Sequence, residues 1–151
     1  MVNNNQWAIS VPRSLQCAAE FLSEKAKGAG IPGITVDGND VVAVFDATMT
    51  ALERARKGKG ATLIEAVSYR LSDHTTADDA TRYRNEDEVQ TAWQYEPVRR
   101  LKTFLTNQGV WSNEKEQEWQ AHCKEQVELA VERYLNTVSY THLTLPTMEL
   151  V

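Results

Sequence analysis

The sequence predicts an α/β fold, a parallel sheet with flanking helices and a closing run of helices. Two observations carry that expectation. Between Ile31 and Val67 a strand pattern, an amphipathic helical pattern and a second strand pattern follow one another. That is the succession of a right-handed βαβ crossover in a parallel sheet. From Glu86 to Asn136 the pattern is then helical almost throughout, which supplies the closing helices.

Taken in order, the chain starts extended, and Ser14 is placed to N-cap a helix from Leu15 to Ala29. Leu15, Ala18, Ala19, Leu22 and Ala26 fall near one face of it, and Gly28 and Gly30 mark its end. Ile31-Pro32-Gly33-Ile34-Thr35-Val36 reads as a short strand stopped by Asp37-Gly38, after which Asn39 or Asp40 caps the next helix. Val41, Val44, Phe45, Thr48, Leu52 and Ala55 form the apolar stripe of that helix, and Lys57-Gly58-Lys59-Gly60 ends it. The second strand runs from Thr62 to Val67.

From Tyr69 to Arg84 the chain is a polar loop, rich in Asp and Thr and without Gly or Pro. A loop of that length within a compact domain is functional or disordered. Helices follow at Glu86–Tyr95, at Pro97–Asn107 with Pro97 in a first-turn position, and at Asn113–Asn136. Ser112 and Asn113, each three residues before Lys115 and Glu116, suggest a capped start for the last helix. Trp111, Trp119, Val127, Ala130 and Tyr134 give it a face to bury. At Val138 a charged helix gives way abruptly to uncharged, β-prone residues, in a string that resembles a translated sequencing-adaptor tail. The expected domain is therefore 1–137, with 138–151 set apart as a non-native tail; the alternative is a genuine short docking strand.

Composition narrows the function classes. The chain has 151 residues, 42% hydrophobic and 25% charged, as in an ordinary soluble globular protein. A formal charge of −5 with no Lys/Arg run argues against a nucleic-acid surface. No apolar stretch is long enough to span a bilayer, and Met1-Val2-Asn3-Asn4-Asn5 lacks the basic and apolar regions of a signal peptide. The expected compartment is the cytoplasm, and Cys17 and Cys123 are expected to be reduced thiols on helices.

Two segments offer chemistry. The run Asn3-Asn4-Asn5 before Gln6-Trp7-Ala8-Ile9-Ser10 makes a turn at a strand end, and that is its plain reading. The same carboxamide and backbone oxygens suit a hard cation such as Mg²⁺. In the loop, His74 is by itself a solvated histidine. Its neighbours Arg70, Asp78, Asp79, Arg82 and Arg84 have the charges to hold a glycine-free loop in one shape through ion pairs. An imidazole held there suits proton transfer, or hydrogen bonding to an anionic intermediate, near neutral pH. Asp73 stands beside it to favour the imidazolium. Glu65 reads as a strand-edge acid paired with an arginine, or else as a buried carboxylate near a cofactor.

Three blocks of sequence carry a resemblance. Asn4-Asn5-Gln6-Trp7-Ala8-Ile9-Ser10 resembles the Asn-Asn end of the thiamine diphosphate motif in 2-oxo acid dehydrogenase alpha subunits. There the pair Gln6-Trp7 stands where Gly-Tyr or an x-Phe pair is usual. Tyr69-Arg70-Leu71-Ser72-Asp73-His74-Thr75-Thr76-Ala77-Asp78-Asp79, with Tyr83-Arg84, resembles their histidine loop, except that Ser72-Asp73 replaces Gly-Pro or Gly-x. Ile31 to Asp40 resembles a third block that ends Val-Asp-Gly-Asn-Asp, and it is read as structural.

The resemblance implies the C-terminal part of a thiamine-diphosphate-binding fold, with thiamine diphosphate and Mg²⁺ as cofactors. It implies that Asn5 gives its side-chain oxygen and Trp7 its backbone carbonyl to Mg²⁺, and that Ile9 and His74 join them at the cofactor. His74 would be the active-site histidine facing the lipoyl group. Arg70, Asp78, Tyr83 and Arg84 would order the loop, and Thr75 would occupy a regulatory phosphorylation position. The implied activity is oxidative decarboxylation of a 2-oxo acid with acyl transfer to a lipoyl group, pyruvate first and a branched-chain acid second. The implied partners are a beta subunit in an α2β2 heterotetramer and the lipoyl domain of an acyltransferase, in a bacterial cytoplasm. The Gly-Asp-Gly half of the motif is expected upstream of Met1, so the isolated chain is expected to be inactive and to aggregate. The alternative is a non-catalytic module that only binds a partner subunit.

Overall fold

The computed structural model describes residues 1–137, so the reading of 138–151 lies outside the described residues. The chain divides into two compact units, Met1–Leu105 and the residues from Thr106 onward, each taken by itself.

The first unit is built on a three-stranded parallel sheet. β1 is Val2–Asn4, β4 is Gly33–Asp37 and β5 is Leu63–Val67, and their order is β1-β5-β4. β2 (Trp7–Ala8) and β3 (Val11–Pro12) form a small antiparallel pair of their own. The register sets Val2 and Thr35 on either side of Glu65, and Asn4 opposite Val67. Because side chains alternate along a strand, Glu65, Thr35 and Asn4 share one face of the sheet. α1, Val41–Arg56, joins β4 to β5 as the expected parallel crossover. Asp40 is its N-cap, accepting from the N–H groups of Val42 and Ala43 at 3.0 Å each. Arg100 of α3, Pro97–Asn107, clamps this corner by donating to the carboxylates of Asp37 and Asp40.

The expected helix over Leu15–Ala29 does not form. In its place stand short 3₁₀ turns at Arg13–Leu15 and Leu22–Ala29, separated by irregular chain. The cause is Arg13, whose guanidinium takes the carbonyls of Cys17, Ala19 and Glu20, oxygens that a helical ladder would need for its own N–H groups. Ser14 is thus inside a turn instead of capping one, and Cys17 is off any helix, while Gly30 does end the second turn with φ +67°. Both cysteines are free thiols.

The stripe expected on α1 also needs correction. Ala43, Val44, Ala47, Thr48 and Ala51 are half-buried, whereas Val41, Phe45, Leu52 and Ala55 are exposed. Met49 is half-buried with them, and Phe45 remains 65% exposed. Buried apolar side chains are correspondingly few among the described residues: Ala26, Ile64, Ala66 and Ala80. α2, Glu86–Trp93, is capped by Asn85, and Glu96 caps α3 through the N–H groups of Val98 and Arg99.

In the second unit α4 runs Asn113–Thr137. Ser112 caps it, accepting from the N–H of Lys115, and the Trp111 indole donates to Glu116 at 2.8 Å. The face expected to bury is instead open along the helix, with Trp119, Val127 and Tyr134 all more than half exposed. No helix among the described residues is long and apolar enough to cross a membrane.

Candidate functional site

The first half of the site is the turn that leaves β1. Asn4 is buried, and its side-chain oxygen accepts from the N–H of Gln6 at 3.2 Å. Asn5 repeats the pattern one residue on, its Oδ1 accepting from the N–H of Trp7 at 3.1 Å. Two consecutive Asn side chains folded onto the backbone in this way make a tight Asx-type turn. The backbone pays with strain, since Gln6 and Ile9 both have positive φ, +70° and +55°. Left-handed geometry is rare for a β-branched residue, and such outliers cluster at functional sites. An open cavity of about 330 Å³ is lined by Asn4, Asn5 and Trp7, with Arg13 and Lys25 among its walls.

Beneath the turn lies a carboxylate whose surroundings the sequence did not reveal. β5 is the central strand, so Glu65 is neither at a sheet edge nor paired with an arginine; it is 1% exposed. Its Oε1 accepts from Asn4 Nδ2 at 2.6 Å, and its Oε2 accepts from the Ser23 N–H at 2.8 Å and the Thr35 hydroxyl at 3.3 Å. The Ser23 and Thr35 hydroxyls are themselves 2.6 Å apart. Burial pushes the Glu65 carboxyl up, but the bonds from Ser23, Asn4 and Thr35 together outweigh it and hold the group below its ordinary range. The only signal for this in the sequence was an acidic residue within an otherwise apolar strand.

The second half is the loop after β5, which is rooted on the turn. The N–H of Ser68 donates to the Asn4 carbonyl at 2.9 Å, and that of Arg70 to the Asn5 carbonyl at 3.1 Å. The Arg70 guanidinium reaches the Ile9 carbonyl and the Tyr83 hydroxyl, each at 2.8 Å. Tyr83 in turn donates to Asp78, and its ring lies 5.6 Å from that of Trp7. Asp78 also accepts from the His74 N–H at 2.9 Å. The Tyr83 and His74 bonds draw its carboxyl below the ordinary aspartate range. Arg84 donates to the carbonyls of Arg70, Leu71 and Ser72.

The loop is therefore tied through backbone carbonyls and the Tyr83 hydroxyl, where ion pairs among charged neighbours were expected. Asp79 turns inward to its own Thr81, and Asp73 accepts from the Ala80 N–H at 3.0 Å, closing the loop. Ser72 has no positive φ, so the path requires no glycine there. His74 and Thr75 are both exposed, and the His74 ring makes no hydrogen bond among the described residues.

The donors at the turn fit the cofactor-bound cation that the sequence suggested. They are carboxamide and carbonyl oxygens, the chemistry that Mg²⁺ takes while keeping several waters and phosphate oxygens of a bound ligand. Among the described residues no group of three or more His, Cys, Asp or Glu side chains forms an alternative metal site.

Comparison with known proteins gives a consistent result. The profile of the family described as "Dehydrogenase E1 component" matches residues 1–139. The chain is similar to a "3-methyl-2-oxobutanoate dehydrogenase subunit alpha" of Mycobacterium tuberculosis, at 53% identity over 82% of this chain and 34% of the relative. It is also similar to a "Pyruvate dehydrogenase E1 component subunit alpha" of Staphylococcus aureus, at 45% identity over 96% of this chain and 40% of the relative. The chain thus spans between a third and two fifths of the length of these relatives.

Proposed function

The chain belongs to the dehydrogenase E1 component family, and from that membership we propose that it acts in the alpha subunit of a thiamine-diphosphate-dependent 2-oxo acid dehydrogenase. The observation that carries this reading is the junction of the two halves: the Asn4–Trp7 turn and the root of the His74 loop are bonded through the carbonyls of Asn4, Asn5 and Ile9. One strand end thereby holds an oxygen-donor turn and a histidine-bearing loop together.

In this reading Asn5 through Oδ1 and Trp7 through its carbonyl hold Mg²⁺, with Ile9 and His74 at the cofactor. Thiamine diphosphate, when bound, supplies the carbanion that makes decarboxylation possible. The chain's own residues orient and protect. Arg70, Asp78, Tyr83 and Arg84 keep the loop in one shape, so that His74 meets the incoming lipoyl group with its imidazole free for hydrogen bonding or proton transfer. Thr75, exposed beside it, is where a phosphate would add charge and bulk to the loop. A beta subunit in an α2β2 assembly is the proposed partner, alongside the lipoyl domain of an acyltransferase. Exposed Val41, Phe45 and Leu52 on α1 are the kind of apolar surface such an assembly covers.

The substrate is proposed as a 2-oxo acid, with pyruvate and 3-methyl-2-oxobutanoate the two members to compare. The test uses the holoenzyme purified as it assembles in the cell. Calorimetry is expected to show Mg²⁺ binding that requires thiamine diphosphate, and CO₂ release from the two acids, measured side by side, assigns the substrate. Absence of both binding and CO₂ release would leave only a partner-binding module.

A further inference from the structure

Resting on that reading, we propose that Glu65 is a positioning residue for the Mg²⁺-binding turn, acting through the side chain of Asn4. Neither residue is itself placed on the cation.

Glu65 is buried in the central strand, and its Oε2 is occupied by two donors, the Ser23 N–H and the Thr35 hydroxyl. Its Oε1 faces Asn4 at 2.6 Å. A carboxylate offers acceptors only, so the Asn4 amide nitrogen must face it and the Asn4 carbonyl oxygen must face the other way. That oxygen is the one that accepts the Gln6 N–H. Gln6 is one of the two residues held at positive φ, and it lies between Asn5 and Trp7. Glu65 therefore selects which way the Asn4 amide points, and the Asn4 amide anchors the strained residue between the two proposed ligands. The Asn4 backbone is fixed as well, since its carbonyl accepts from Ser68 N–H and from the Gln6 side chain. What remains free to turn over is the amide, and Glu65 removes that freedom. Groups that orient metal ligands from behind typically change metal affinity about 10–100-fold when altered.

The same donor and acceptor pattern separates positioning from simple support of the fold. In Glu65→Gln the new amide donor faces the Asn4 amide donor. If Asn4 turns over to meet it, its nitrogen faces the Gln6 N–H, and if the new amide turns over instead, its nitrogen faces the Ser23 N–H, so no arrangement satisfies every bond. Asn4→Asp alone sets two carboxylates against each other. Together, Asn4→Asp and Glu65→Gln restore every bond with donor and acceptor exchanged. The amide introduced in the central strand donates to the carboxylate introduced in β1, and its oxygen accepts from Ser23 and Thr35. The new carboxylate also accepts from the Gln6 N–H.

The substitutions are made at the chromosomal locus and the holoenzyme is purified as it assembles in the cell. The readouts are the Mg²⁺ dissociation constant in saturating thiamine diphosphate, by calorimetry, and the melting temperature. Glu65→Gln is expected to weaken Mg²⁺ binding about tenfold or more, and the double variant to return it to within about threefold of the unaltered enzyme. A lowered melting temperature with unchanged Mg²⁺ affinity in Glu65→Gln overturns the proposal. A double variant that regains its melting temperature without regaining affinity does so too. If Glu65→Gln does not assemble, the double variant decides by the same criterion: assembly with near-normal Mg²⁺ affinity supports positioning, and assembly without it overturns it. An unaltered holoenzyme with no thiamine-diphosphate-dependent Mg²⁺ binding is a distinct failure, because it removes the function proposed above and this role with it.

Discussion

The two halves of the site are held by opposite means. The Asn4–Trp7 turn rests on a carboxylate that is 1% exposed and fully bonded, in the middle of the sheet. The Arg70–Arg84 loop rests on guanidinium and hydroxyl groups nearer the surface, with His74 exposed. A buried, fully bonded network has little alternative to its one geometry, since any misplacement leaves a polar group without a partner in a low-dielectric setting. Bonds nearer water are exchanged more cheaply. The difference matches the proposed division of labour: a turn that must hold a cation's ligands still, and a loop that must receive a second substrate.

That contrast is broken most forcefully at Gly33. A Cβ there would lie 2.2 Å from the Ser23 carbonyl oxygen and 2.9 Å from its carbon, both backbone atoms that can move only by shifting the Leu22–Ala29 segment. The same peptide region gives its N–H to Glu65. Gly33→Ala is expected to cost about 3 kcal/mol of unfolding free energy, measured by urea unfolding. A loss below about 1 kcal/mol would mean that the segment gives way easily and that Glu65 is not rigidly held.

A smaller effect is expected in the loop. Tyr83→Phe removes the hydroxyl that joins Arg70 to Asp78 while keeping the ring against Trp7. The cost in stability is expected to be about 1 kcal/mol or less. Amide exchange is expected to quicken at residues 73–79 and to stay unchanged in β5. Faster exchange in β5 as well would show that the two halves are one unit and remove the contrast.

The parts of the fold that were legible in the sequence are those decided locally. Asp40 and Ser112 capped as their positions suggested, and the parallel pair β4 and β5 followed from two short apolar runs around an amphipathic helix. The helix expected at Leu15–Ala29 was lost to a competitor that propensity does not register, an Arg13 side chain folding back onto carbonyls four to seven residues on. Likewise, the periodicity of α1 located an apolar stripe but not which part of it is covered. Phe45 and Val44 are adjacent in that stripe, yet only Val44 is half-buried. The turn and the loop were both visible as motifs. The support beneath the turn was not, because it runs through Glu65, Ser23 and Thr35, residues 12 to 42 apart that only the strand order brings together.

In the proposed reading this chain supplies both a cation-holding turn and the histidine that serves acyl transfer. The most direct measurement is on His74→Ala in the holoenzyme, comparing the rate of CO₂ release from the 2-oxo acid, followed with an artificial electron acceptor, with the rate of lipoyl acylation. Lipoyl acylation is expected to fall by about 10²-fold or more, the usual scale for a lost acid–base group, while decarboxylation falls much less. Equal losses in both steps would contradict the assignment of His74 to acyl transfer.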